Sequence, residues 1–188
     1  MTVALNRSAA ARTIADLKLL GRNQAIAEHW LSLWQGDRLP AHAAFRSAGM
    51  ESFHTDLLLF DIVPDARVMV RHAGSRFRRL LGRDLEGIDW IADAPESHRA
   101  LRLRNLSEVA RGAILVGRRR TTMRIGGANY NEEIVLPFAA EPCGTAPALA
   151  HAVWPFDATV TPASIVEMDP VTQKFQLYSL SREPVAGA

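Results

Sequence analysis

Apolar residues between Ala10 and Gln35 recur mostly at three- and four-residue steps, at Ile14, Leu17, Leu20, Ile26, Trp30, Leu33 and Trp34. That period predicts an amphipathic helix, interrupted at Gly21 and stopped by the Gly and Pro of QGDRLP (35–40). Its apolar side must pack on the domain, on a second copy or on a partner. After an irregular stretch, LLLFDIV (57–63) is a nearly continuous apolar run, as expected of a strand covered on both sides. RVMVRHA (67–73) alternates apolar and polar, and the two read as a hairpin turning at Pro64-Asp65.

Beyond the hairpin the chain turns sharply, in AGSRFRRLLGRDLEGIDW (73–90). Ser75 is placed to cap a short helix carrying Phe77, Leu80 and Leu81, and Gly82 to end it in a left-handed conformation. Asp84 and Asp89 can cap the turns in which they sit. A longer helix is expected from Pro95 through Leu101, Leu103, Leu106, Val109 and Ala110 to Gly112. Three strands follow, at 113–125, 130–139 and 148–157, the first two joined by GGAN (126–129), a hairpin signal. The tail ends in a short amphipathic piece. This order predicts an α+β fold: a five-stranded antiparallel sheet with helices on one face, preceded by an N-terminal amphipathic helix. The expected organisation is a helical extension (1–40), a domain (41–158) and a tail (159–188), with a cavity between the sheet and the helical crossover.

The element order, together with RHAGSRFRRLLGRDLEGIDW and its G-x-D-L-x-G turn, resembles the PAS domain. The run from LLLFDIVPDARVMV to GRDLEGID, preceded by NQAIAEHWLSLWQGDRLPAHAAF, is similar to a bacterial branch of stand-alone PAS-like proteins. The resemblance covers residues 17–157 and is most specific over 57–90. It implies a sensory or docking module that binds a small molecule or a partner protein in signalling, and that acts through flanking helices or as a homodimer. Flavin light sensors of this family carry a reactive Cys in an N-C-R-F setting; the motif is missing here and Cys143 lies elsewhere, which excludes that adduct. Haem-binding members use a His on the crossover helix. His98, in PESHRALRLRN, is the one candidate, and its place in a first turn facing solvent argues against haem. No kinase, cyclase or helix-turn-helix sequence follows, so output is expected to pass through a partner or self-association.

Composition sharpens this picture in a few places. At 188 residues, 48% hydrophobic and 22% charged, the chain has the profile of a globular domain with a real core. No apolar run approaches the roughly 18–20 residues of a membrane span, and the N-terminus lacks a signal peptide's apolar region, so a cytoplasmic location is expected. One cysteine, Cys143, precludes an internal disulfide or a Cys-based zinc cluster. The net charge of +2 conceals a strong preference for Arg over Lys, which a GC-rich genome and selection would both produce. RFRR (76–79) and the Arg118, Arg119 and Arg120 cluster lack the interleaved aromatics that stack on bases, which argues against nucleic acid. The six histidines show no i,i+4 pair or HExxH motif, so no metal is expected. Asp84, Glu86 and Asp89, and the NEE of 131–133, read as caps and exposed groups. With no nucleophile–base pair, catalysis is not expected.

Residues placed on elements facing the cavity are the pocket candidates: Trp90, Ile91, Arg102, Leu103, Asn105, Leu106, Met123, Tyr130, Ile134 and Leu136. Ile26, Trp30, Leu33 and Trp34 are the expected dimer or partner surface. Two other classes remain open. One is a small cone-shaped α+β enzyme or carrier, which needs a long bent sheet around a deep acid–base pocket. The other is a nucleic-acid-associated protein using Arg118 to Arg120, which needs salt-dependent binding.

Overall fold

The computed structural model describes residues 5–46, 50–63, 67–123, 127–153, 165–168 and 174–180; at 46, 50–52, 80, 119–123, 127–130, 165–168 and 174 the description is of the backbone. Two helices open the chain, α1 (Arg7–Asp16) and α2 (Gly21–Ser32), so the interruption expected near Gly21 is a full break. Asn6 caps α1 by accepting from the amides of Ser8 and Ala9. A short α3 (His42–Arg46) and a 3-10 helix (Met50–Asp56) lead into β1 (Leu57–Val63) and β2 (Arg67–Ala73). Then come α4 (Ser75–Leu81), α5 (Glu96–Ala110), β3 (Ala113–Met123), β4 (Gly127–Pro137) and β5 (Ala146–Val153). Two tail strands follow, β6 (Ile165–Met168) and β7 (Lys174–Ser179). The Pro64-Asp65 turn and Gly126 lie outside the described residues.

Every strand pair is antiparallel, in the order β2-β1-β5-β4-β3-β6, with β7 also on β3. The five expected strands are therefore joined by two more among the described residues. β3 is 11 residues long, enough for β7 to pair with its first half and β6 with its end. Those two tail strands, of four and six residues, are too short for a hydrophobic pattern to mark them in the sequence.

Helices cover both faces of the sheet, not one. On the first face Leu58, Phe60, Ile62, Val68, Val70, Leu115 and Val135 pack beneath α4 and α5 with Phe77, Leu106 and Val109. Four alanines of β5 (146, 148, 150 and 152) face the same way. On the second face Leu57, Ile114, Val116, Ile134, Leu136 and Leu149 pack against Ile14, Ile26, Ala27, Trp30, Trp34 and Phe45. This overturns the placing of Ile26, Trp30, Leu33 and Trp34 on an open dimer or partner surface. Ile26 and Trp30 are wholly buried, Trp34 is buried, and Leu33 is half-buried against the same core. The Trp30 indole N–H donates to the Pro137 carbonyl at 2.7 Å, which fixes α2 over β4. The strands of a sheet covered on both sides are apolar at odd and even positions alike. The greasy side of α2 is what covers the second face.

The glycine-and-acid turn also acquires a reason. Gly82 ends α4 at φ 69, as expected, but the residue that caps the start is Gly74, not Ser75. After Leu85, which is buried in the first core, the chain doubles back along the open side of β2. The amide of Gly87 donates to Val70 O, that of Val70 to Ile88 O and that of Trp90 to Val68 O. The turn thus occupies an edge that would otherwise present unpaired backbone groups. Asp84 accepts from the amides of Leu85 and Glu86, and Asp89 from those of Ile91 and Ala92.

Candidate functional site

Between α5 and the first face of the sheet, Trp90 stands half-buried beside Phe60, with ring centroids 5.8 Å apart. The Arg102 guanidinium lies over the Trp90 ring at 4.7 Å and donates to the Trp90 carbonyl at 2.9 Å. Arg99 donates to the carbonyls of Ala94 and Ala92, so two arginines of α5 hold down the turn that leads into it. Ile91 and Leu106 are buried and Leu103 packs partly buried against the same core. Asn105 is also buried, on the inner side of α5.

Six of the ten pocket candidates therefore share this side: Trp90, Ile91, Arg102, Leu103, Asn105 and Leu106. Ile134 and Leu136 do not, for they lie on the opposite face beneath α2. In their place β4 turns Asn131, Glu133 and Val135 toward α5, by the alternation that puts Val135 in the first core. Asn131 is buried and Glu133 half-buried. The NEE stretch is thus not exposed as expected, because nothing in its local pattern distinguishes a buried Asn from a solvated one. The side chains of Met123 and Tyr130 lie outside the described residues. His98 is exposed in the first turn of α5, and Cys143 is exposed on the loop between β4 and β5. Hydrogen bonding to Thr145 holds that thiol below its ordinary pKa.

The second face carries a buried polar network that the sequence did not reveal. Glu132, 2% exposed, accepts from the backbone amide of Leu20 at 2.7 Å, from Asn23 Nδ2 at 3.0 Å and from Arg118 Nε at 2.8 Å. Arg118 also donates to the Leu17 carbonyl, which engages in packing one of the three arginines considered for nucleic acid. Asn23 gives its second N–H to the Glu132 carbonyl, so its own oxygen accepts from Nδ1 of His151 at 2.5 Å. His151 is wholly buried; its Nε2 finds no hydrogen-bond partner among the described residues, and its ring lies 5.7 Å from that of Phe53. Burial lowers its pKa to about 4, with Arg22 and Arg76 pushing the same way and Asp56 opposing them. The imidazole is neutral at ordinary pH.

Residues 21–149 of this chain, whose sheet runs 2-1-5-4-3 over its first five strands, match the family model for the PAS domain. The chain belongs to the PAS domain family. The matched span runs from the start of α2 into β5. No curated protein matches the chain. The family is one of sensory and regulatory modules. Among the described residues of this PAS protein no helix is long and apolar enough to cross a membrane. Nor do those residues gather three or more His, Cys, Asp or Glu side chains in a group that could hold a metal.

Proposed function

We propose that this PAS domain is a non-catalytic bacterial signalling module that takes a small ligand between α5 and the first face of its sheet. One observation carries the reading. Polar side chains from facing elements, Asn105 and Arg102 on α5 and Asn131 and Glu133 on β4, belong to a face whose described core is apolar, and small-residued along β5. A few polar groups set in an apolar lining are what orient a small ligand. The Trp90–Arg102 stack forms the rim of this side and joins α5 to the turn at the edge of the sheet. Output passes to a partner protein or a second copy, in the cytoplasm.

Native mass spectrometry of untagged, freshly purified protein tests the reading. Excess mass that disappears on denaturation is the expected result. A clean apo mass from protein purified under several growth conditions would overturn ligand binding and leave a docking module. Substitution of Asn105 by Leu should abolish the excess mass while the protein stays folded.

A further inference from the structure

Asp56 ends the 3-10 helix at the corner of the sheet and is 2% exposed. Arg22 of α2 reaches its Oδ2 at 2.9 Å, and Arg76 of α4 reaches its Oδ1 at 3.1 Å. The Thr55 hydroxyl donates to Oδ2 at 3.2 Å. The two arginines come from helices on opposite faces of the sheet, α2 in the second core and α4 beside the first. Each contact has a second hold. The Arg22 guanidinium lies over the Phe53 ring at 5.5 Å, and that ring meets buried His151. On the α4 side the amide of Gly74 donates to Leu57 O at 2.7 Å, and the backbone at 74 is pressed against the carbonyls of His54 and Thr55.

A buried carboxylate stripped of every cation is strongly destabilising, whereas one that keeps a cation is not. Either arginine alone satisfies this condition, so each backs up the other. We propose that Asp56 is a shared lock between the two faces: α2 or α4 can lift from it singly, but not both together. Displacement of α4 on the ligand side then tightens the hold of Asp56 on the N-terminal helices, and loosening of those helices tightens α4. The lock stands without a ligand. Its use as a route for signal rests on the ligand reading above, so the test below and the mass measurement can fail independently.

The test is a double-mutant cycle on the full chain with Arg22→Met and Arg76→Met, which remove the charge and keep the aliphatic stem. Each single change should alter the folding equilibrium modestly. The double change should lower the folding constant by roughly tenfold more than the product of the singles, within the range for residues sharing one charge network. In an Asp56→Asn background that excess should vanish. A parallel cycle of Arg22→Met with Arg83→Met, whose partner is Asp93, should multiply simply; this control decides the matter if Asp56→Asn does not fold. Simple multiplication in the Arg22/Arg76 cycle, or an equal excess in the Arg22/Arg83 cycle, would overturn the shared lock. Hydrogen exchange gives the direction: Arg76→Met should slow local opening of α2, where a merely structural loss would speed it.

Discussion

A Cβ at position 74 would stand 2.4 Å from the carbonyl oxygens of His54 and Thr55, closer than real Cβ atoms approach anything. The φ there is −62, an ordinary value, so the need for glycine is purely one of space. Gly87 is the opposite case, with φ +79 and nothing within 4 Å of an added Cβ. Gly74→Ala should therefore cost roughly 3 kcal/mol, and Gly87→Ala only about 1 kcal/mol for its left-handed backbone. Urea titrations of the two variants would show the order, and the reverse order would refute the account of the corner. His151 makes a pH prediction. Its folded pKa of about 4 lies below the ordinary 6.5, so the unfolded chain binds the extra proton first. The stability this group contributes is fully present above 6.5 and is lost as pH falls toward 4, by on the order of 3 kcal/mol. Unfolding free energies between those pH values should rise more steeply for the native chain than for His151→Gln. Equal slopes would mean that His151 is not buried as a neutral group.

At the scale of elements, the seat of α2 depends on side chains more than 100 positions apart in the chain, Asn23 and Glu132 among them. Asn23→Leu would leave Glu132 short of two donors and the His151 Nδ1–H without an acceptor. The expected cost is about 2–4 kcal/mol, with faster hydrogen exchange concentrated in α2 rather than α5. Unchanged stability would contradict the network. None of this was legible in the sequence. β1, β2 and α5 emerge from periodicity because turn residues bound them, and the caps at Asp84 and Asp89 from local chemistry. The facing of β4 does not, because Ile134, Val135 and Leu136 are apolar at both parities. Only the partner of Glu132 on a remote helix fixes which side is which. The pairing of residues 87–90 with β2 is equally silent, since backbone hydrogen bonds impose no side-chain pattern.

At the scale of the molecule, the sheet separates two cores, and the N-terminal helices are the cover of the second. Read from periodicity alone, they could be removed before Leu31 to leave a folded domain with altered association. The packing predicts otherwise. Such a truncation removes Ile26 and Trp30 and uncovers Ile134, Leu136, Phe138 and Leu149, all of them 0% or 1% exposed in the full chain. At roughly 2 kcal/mol for each buried apolar side chain, the loss is comparable to the whole stability of an ordinary domain. It also takes Arg22 from Asp56 and Asn23 from Glu132, leaving buried charges with fewer partners. The truncated chain should aggregate or unfold without a cooperative transition, as seen by light scattering after size exclusion and by thermal melting. A monodisperse truncated protein with native melting would show that the helices are an appendage after all, and that the second face of the sheet is stable in water without them.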